Sequence, residues 1–103
     1  MPANVKLLVY KRGVPVATGK ITDASRSGLF IDTKFDEVQI NQMLEVEFGL
    51  SGPPECHHQR LEAVVTRKTK DGLALELGGL TQAQVQCLQH LYNDLETERL
   101  TRP

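Results

Sequence analysis

The chain has 103 residues, 40% of them apolar and 24% charged, with a formal net charge of −1. That length fits one domain, residues 1–103, with a single modest core and little apolar surface to line a deep catalytic cleft. The composition excludes a disordered chain, and the near-neutral charge excludes broad, sequence-independent nucleic-acid binding, which needs several Lys and Arg against phosphates.

The opening MPANVKLLVY has neither the basic start nor the long apolar run of a signal peptide. Apolar stretches elsewhere fall far short of a membrane span. Cys56 and Cys87 suggest no disulfide framework, so a reducing cytoplasm is the expected setting.

Six strand-like segments come first. Val5–Tyr10 and Val14–Thr22 read as a hairpin around Lys11-Arg12-Gly13. After a polar loop, Gly28–Asp32 is a short third strand. In Met43–Leu50, Leu44, Val46, Phe48 and Leu50 alternate with Glu45, Glu47 and Gly49, so one face is buried and the other solvated. Gly and two prolines make Ser51–Gln59 a loop. Leu61–Lys68 and Leu73–Leu77 form a second hairpin around Lys70-Asp71-Gly72, with the Asp-Gly step supplying positive φ.

From Gln82 the period changes. Val85, Leu88, Leu91, Tyr92 and Leu95 fall on one helical stripe, and Gln82, Gln86, Gln89, Asn93 and Glu96 on the polar side. Thr81 with Gln84 makes a capping box, and Leu80 with Val85 fits a hydrophobic staple. The helix is expected to run to about Arg99, packing its stripe on the strands.

Asp23-Ala24-Ser25-Arg26-Ser27-Gly28 lies between the second and third strands. Asp and Ser side chains bond nearby amides, and Gly28 permits backbone that a side chain would forbid. Taken alone, these six residues make a well-formed turn. Followed by the strand LFID, then MLEVEF, GLALEL, GGLT and an amphipathic helix, they match the D-x-S-x-x-G signature and strand order of PilZ domains. The chain resembles that family over nearly its whole length.

The resemblance implies a mainly β fold. A six-stranded antiparallel barrel would span about residues 5–79, followed by one C-terminal amphipathic α-helix over about 82–99. It also implies a non-enzymatic bacterial signalling module of cyclic di-GMP pathways, in which Asp23, Ser25 and Gly28 would help hold a guanine. The family's second motif, R-x-x-x-R before the first strand, occurs nowhere in this sequence. Its arginines grip phosphate and stack on guanine, a task suited to a planar, permanently charged fork. Lys11 and Arg12 sit at the far end of the first hairpin, roughly 17–20 Å away. Lys6 and Arg26 are the nearby cations, and neither has the family's spacing.

The candidate ligand-binding residues are therefore Asp23, Ser25, Arg26, Gly28 and Lys6, with cyclic di-GMP as possible ligand and no cofactor or metal. With half the usual site missing, an adaptor that keeps the barrel for a protein partner is expected. A receptor with rebuilt contacts is the alternative. A small-barrel nucleic-acid binder is the reading from another class, but no exposed row of aromatic and basic residues stands out.

Cys56-His57-His58 lacks the spacing of a zinc site and reads as a solvated loop. Cys87 reads as helix packing. Arg67-Lys68-Thr69-Lys70 reads as a solvated basic turn. Ser25 and Ser27 have no His and acid partners in a recognisable order, so no catalysis is expected.

Overall fold

The computed structural model describes residues 5–25, 27–35, 37–50 and 52–101, with side chains through Glu96. The strands are β1 (Val5–Lys11), β2 (Val14–Ala24), β3 (Gly28–Asp32), β4 (Met43–Phe48), β5 (Gln59–Thr69) and β6 (Gly72–Leu77), followed by helix α1 (Gln82–Thr101). They close into a barrel in the order β1-β2-β3-β6-β5-β4, each neighbouring pair antiparallel. No helix among the described residues is long and apolar enough to cross a membrane.

Alternation along the strands fills the barrel interior, as small barrels require. Leu7 and Val9, Leu29 and Ile31, Leu44 and Val46, Leu61 and Val65, and Leu73 and Leu75 are all buried there. The β3–β4 connection folds over this core. Val38 is buried within it, and the Lys68 ammonium donates to the Val38 carbonyl at 2.8 Å. Arg12 and Gly13, both at positive φ, turn the first hairpin as a tight two-residue loop. In the second hairpin only Gly72 takes positive φ, not Asp71. The turn is held instead by the Thr69 hydroxyl, which accepts from the Asp71 amide at 3.1 Å.

The capping box forms in both directions. The Thr81 amide donates to Gln84 Oε1 at 2.9 Å, and the Gln84 amide donates to Thr81 Oγ1 at 3.1 Å. The helix packs against β2 and a single 3₁₀ turn, Pro54–Cys56. Its buried side chains are Cys87, Leu88, Leu91 and Leu95, whereas Val85 and Tyr92 stay 38% and 39% exposed. The stripe is thus rotated from the expected one. Leu80 packs on the core, and Val85 stays on the exposed flank.

A covalent bond accompanies this orientation. Cys56 and Cys87 form a disulfide, which corrects the expectation of two unpaired cysteines and of a solvated loop at Cys56. A packing thiol and a loop thiol look alike in sequence, because only the fold brings the two segments together.

Candidate functional site

Two β-bulges shape the surface around the D-x-S-x-x-G segment. In β2 the register slips between Ile21 and Asp23, so Thr22 and Asp23 together face Phe30. In β5 it slips between Val65 and Arg67, so Thr66 and Arg67 together face Ala74. Each bulge threonine donates its hydroxyl to the opposing carbonyl, Thr22 to Phe30 at 3.3 Å and Thr66 to Ala74 at 3.2 Å. An extra residue of this kind bends a strand and re-aims side chains. Here both bulges turn charged residues outward while their neighbours Ala24 and Val65 stay buried.

Asp23 therefore belongs to β2 and not to the loop, which shrinks to Ser25–Ser27. The Asp23 carboxylate accepts from the Ala24 amide at 2.9 Å. The Ser25 amide donates to the Gly28 carbonyl at 2.9 Å, and the Leu77 amide donates to the Ser27 carbonyl at 2.7 Å, which ties the loop to β6. Gly28 does not adopt positive φ. Its role is close approach: a Cβ there would lie 3.0 Å from the Leu75 carbonyl oxygen and 3.4 Å from Ser25 Oγ. That replaces the conformational reason expected from sequence with a steric one.

Asp23, Ser25 and Gly28 line one cavity of about 240 Å³, together with Phe30, Ala74 and Arg67. A neighbouring cleft of about 630 Å³ runs from Ser25 along the exposed flank of α1, past Val85, Gln86, Gln89 and Tyr92. Lys6 is not in either. It pairs with Lys20 across β1 and β2 and lines a separate cavity of about 780 Å³ with Lys34 and His58. Lys11 and Arg12 line a cavity with Gln39 and Asn41, away from Asp23. Arg26 lies outside the described residues. The structure thus brings together three of the five expected site residues.

Arg67 is the residue that sequence reasoning missed. Arg67 and Lys68 lie in β5, as the expected strand Leu61–Lys68 has them, and β5 extends through Thr69 into the basic run read as a solvated turn. Arg67 reaches the motif only through β6, which separates β5 from β3 in the barrel. Strict alternation from buried Val65 would have turned Arg67 inward, and only the bulge at Thr66 turns it out.

A second polar cluster occupies the outer face of β1, β4 and β5. The Tyr10 hydroxyl donates to Glu47 at 2.7 Å, and His58 meets the other Glu47 oxygen at 2.6 Å. Arg60 sits 4.2 Å from the centre of the Tyr10 ring and bonds Glu45 at 3.1 Å. The bond from Tyr10, then that from His58, holds the Glu47 carboxyl below its ordinary range, while the same carboxylate raises the Tyr10 phenol. Register sets Tyr10 opposite Glu45 and Leu8 opposite Glu47, so the Tyr10 hydroxyl reaches Glu47 diagonally across the strand pair.

Among solved structures, the chain is similar to the PilZ domain of CeSA from a cellulose-synthesising bacterium. The TM-score is 0.70 at 18% identity, covering 93% of this chain and 96% of that one, which is a likeness of fold. Comparison with curated proteins gives no match. The sequence profile of the PilZ domain matches residues 1–94, from the first strand through most of the helix. Barrel order, terminal helix and D-x-S-x-x-G segment agree with that match: the chain belongs to the PilZ domain family.

Proposed function

We propose that this PilZ domain, a module of cyclic di-GMP signalling and not an enzyme, works in the cytoplasm as an adaptor with an incomplete ligand site. What supports this reading is the placement of positive charge. A ligand with two phosphates needs several cations around it, and charge-assisted bonds are roughly twice as strong as neutral ones. Among the described residues Arg67 is the single cation lining the motif cavity, while Lys6, Lys11 and Arg12 line others. The exposed flank of Val85 and Tyr92 beside Ser25 gives a protein partner an apolar surface next to the motif.

Calorimetric titration with cyclic di-GMP tests this, with weak or undetectable binding at physiological salt as the expected result. Submicromolar binding abolished by Asp23→Ala or Ser25→Ala would overturn it. That result would establish the second reading, a receptor with a rebuilt site, which the position of Arg67 favours.

A further inference from the structure

Strand directions gather three connections at one end of the barrel. The Arg12-Gly13 turn, the β3–β4 connection and the Lys70-Asp71 turn lie there, while the D-x-S-x-x-G loop, the 3₁₀ turn and the start of α1 lie at the other end. Turn tips are usually polar, because Gly, Asn, Asp and Ser suit turn backbone. This end breaks that pattern. Val14, Met43 and Ile40 are 59%, 56% and 49% exposed, and the next most exposed large apolar side chain among the described residues is Tyr92, at 39%.

The backbone holds these side chains out. The Asn41 amide donates to the Val65 carbonyl at 2.7 Å and the Val65 amide to the Gln42 carbonyl at 3.0 Å, which ties the segment to β5. Gln42 closes the turn twice. Its amide donates to the Gln39 carbonyl at 3.0 Å, and its side-chain oxygen accepts from the Gln39 amide at 3.0 Å. Ile40 sits at the tip of this braced turn, although Val38, two residues earlier, is buried. Arg12 and Asn41 are the two non-glycine residues at positive φ among those described, and both belong to this end. Backbone of that kind is uncommon outside glycine and persists only where its surroundings hold it.

Cations stand between the apolar tips. Lys11 and Arg12 share a cavity of about 500 Å³ with Gln39, Ile40, Asn41 and Gln42, and no acid lines it. Neither cation has an ion pair or side-chain hydrogen bond among the described residues. Val14 lies opposite Lys11 across the first hairpin, and Met43 begins β4 directly after the braced turn. Glu37 is in the β3–β4 connection but outside this cavity, and at the second hairpin Lys70 and Asp71 offset each other.

We propose that this end of the barrel docks on an anionic lipid surface, with Ile40, Met43 and Val14 entering the acyl boundary and Lys11 and Arg12 meeting lipid phosphates. Interfacial anchoring sums these two terms, burial of apolar side chains and attraction of Lys and Arg to anionic headgroups. A second copy of the chain fits less well, since a two-fold pairing of this end would set like charges against each other. Apolar tips on two separate connections also suit a fluid surface, which requires no matching shape. A barrel docked in this way turns its D-x-S-x-x-G loop away from the membrane.

Co-sedimentation of the intact chain with vesicles tests the proposal, using phosphatidylcholine alone and phosphatidylcholine mixed with phosphatidylglycerol. The wild type should bind the mixed vesicles and not the neutral ones. Lys11→Gln and Arg12→Asn should each weaken that binding roughly fivefold; Asn tolerates the positive φ at position 12. Ile40→Gln/Met43→Gln should weaken it at least as much, at low salt as well. Leu8→Ser, at a 37% exposed position on the barrel wall, should change little. Thermal melts check that each variant folds, and Val14→Gln on the other connection serves alone if the double variant melts early. No binding to mixed vesicles at millimolar lipid overturns the proposal. So does binding that survives the apolar substitutions, or that falls equally with Leu8→Ser. Release from vesicles by millimolar glycerol phosphate would assign the cavity to a soluble phosphate instead. Self-association lost in Ile40→Gln/Met43→Gln, without vesicle binding, would assign this end to a second copy.

Discussion

Cys56 and Cys87, 31 positions apart, are joined by a disulfide with their Cα atoms 5.5 Å apart. One sits in the 3₁₀ turn before β5 and the other in the second turn of α1, and both are buried. The bond joins the face of the helix that meets the barrel, with Cys87 inward and Val85 and Tyr92 beside the Ser25 cleft.

Opening this cross-link should lower stability by about 3–4 kcal/mol, from the unfolded-state entropy of a loop of this length. Chemical denaturation with and without a dithiol reductant measures the difference, and Cys56→Ala/Cys87→Ala should reproduce it. An unchanged midpoint on reduction would mean that packing alone holds the helix. The comparison also bears on the cytoplasmic setting, where thiols are usually kept reduced.

Helix packing gives a second expectation, with an internal control. Leu91 is fully buried and Leu88 nearly so, whereas Val85 is 38% exposed. Leu88→Ala should therefore cost roughly 2–5 kcal/mol, and Val85→Ala should stay within about 0.5 kcal/mol, as at an ordinary surface site. Equal losses at the two positions would restore the stripe expected from periodicity alone.

Thr81→Ala removes the hydroxyl that accepts from the Gln84 amide. The expected cost is about 1 kcal/mol, read from the denaturation midpoint. Because the capping box is reciprocal, Gln84→Ala should also destabilise the helix start, by less, since it leaves the hydroxyl in place.

Glu47 gives a pH dependence with a definite sign. Its folded-state value is held below the ordinary 4.5, chiefly by the Tyr10 hydroxyl and next by His58. The folded protein therefore binds this proton less readily than the unfolded chain. The stabilisation is complete above the ordinary value and fades as pH falls through the depressed one. NMR titration of the Glu47 carboxyl should show the low value, and Tyr10→Phe should move it up. Any effect on stability will be small, because the half-buried carboxylate lies at the surface and its partner His58 is exposed, so solvent screens the interaction. A Glu47 titration that Tyr10→Phe leaves unmoved would remove the hydroxyl as its cause.

Secondary structure was legible along the chain because its causes are local. Alternation in Met43–Phe48, the Arg12-Gly13 turn and the Thr81–Gln84 box each lie within a few residues, and each forms where the sequence places it. The family signature around Asp23, Ser25 and Gly28 was legible for the same reason. What the sequence could not settle was everything set by lateral register. The disulfide depends on the helix folding back onto the 3₁₀ turn. The row from Asp23 to Arg67 depends on β6 pairing between β3 and β5 and on two single-residue slips, at Thr22 and Thr66. In a sheet of period two, one extra residue reverses which face every later side chain occupies. Local pattern alone therefore left Arg67 near the end of a strand in a basic run, and only the pairing of β6 between β3 and β5 set it in one row with Phe30, across Ala74.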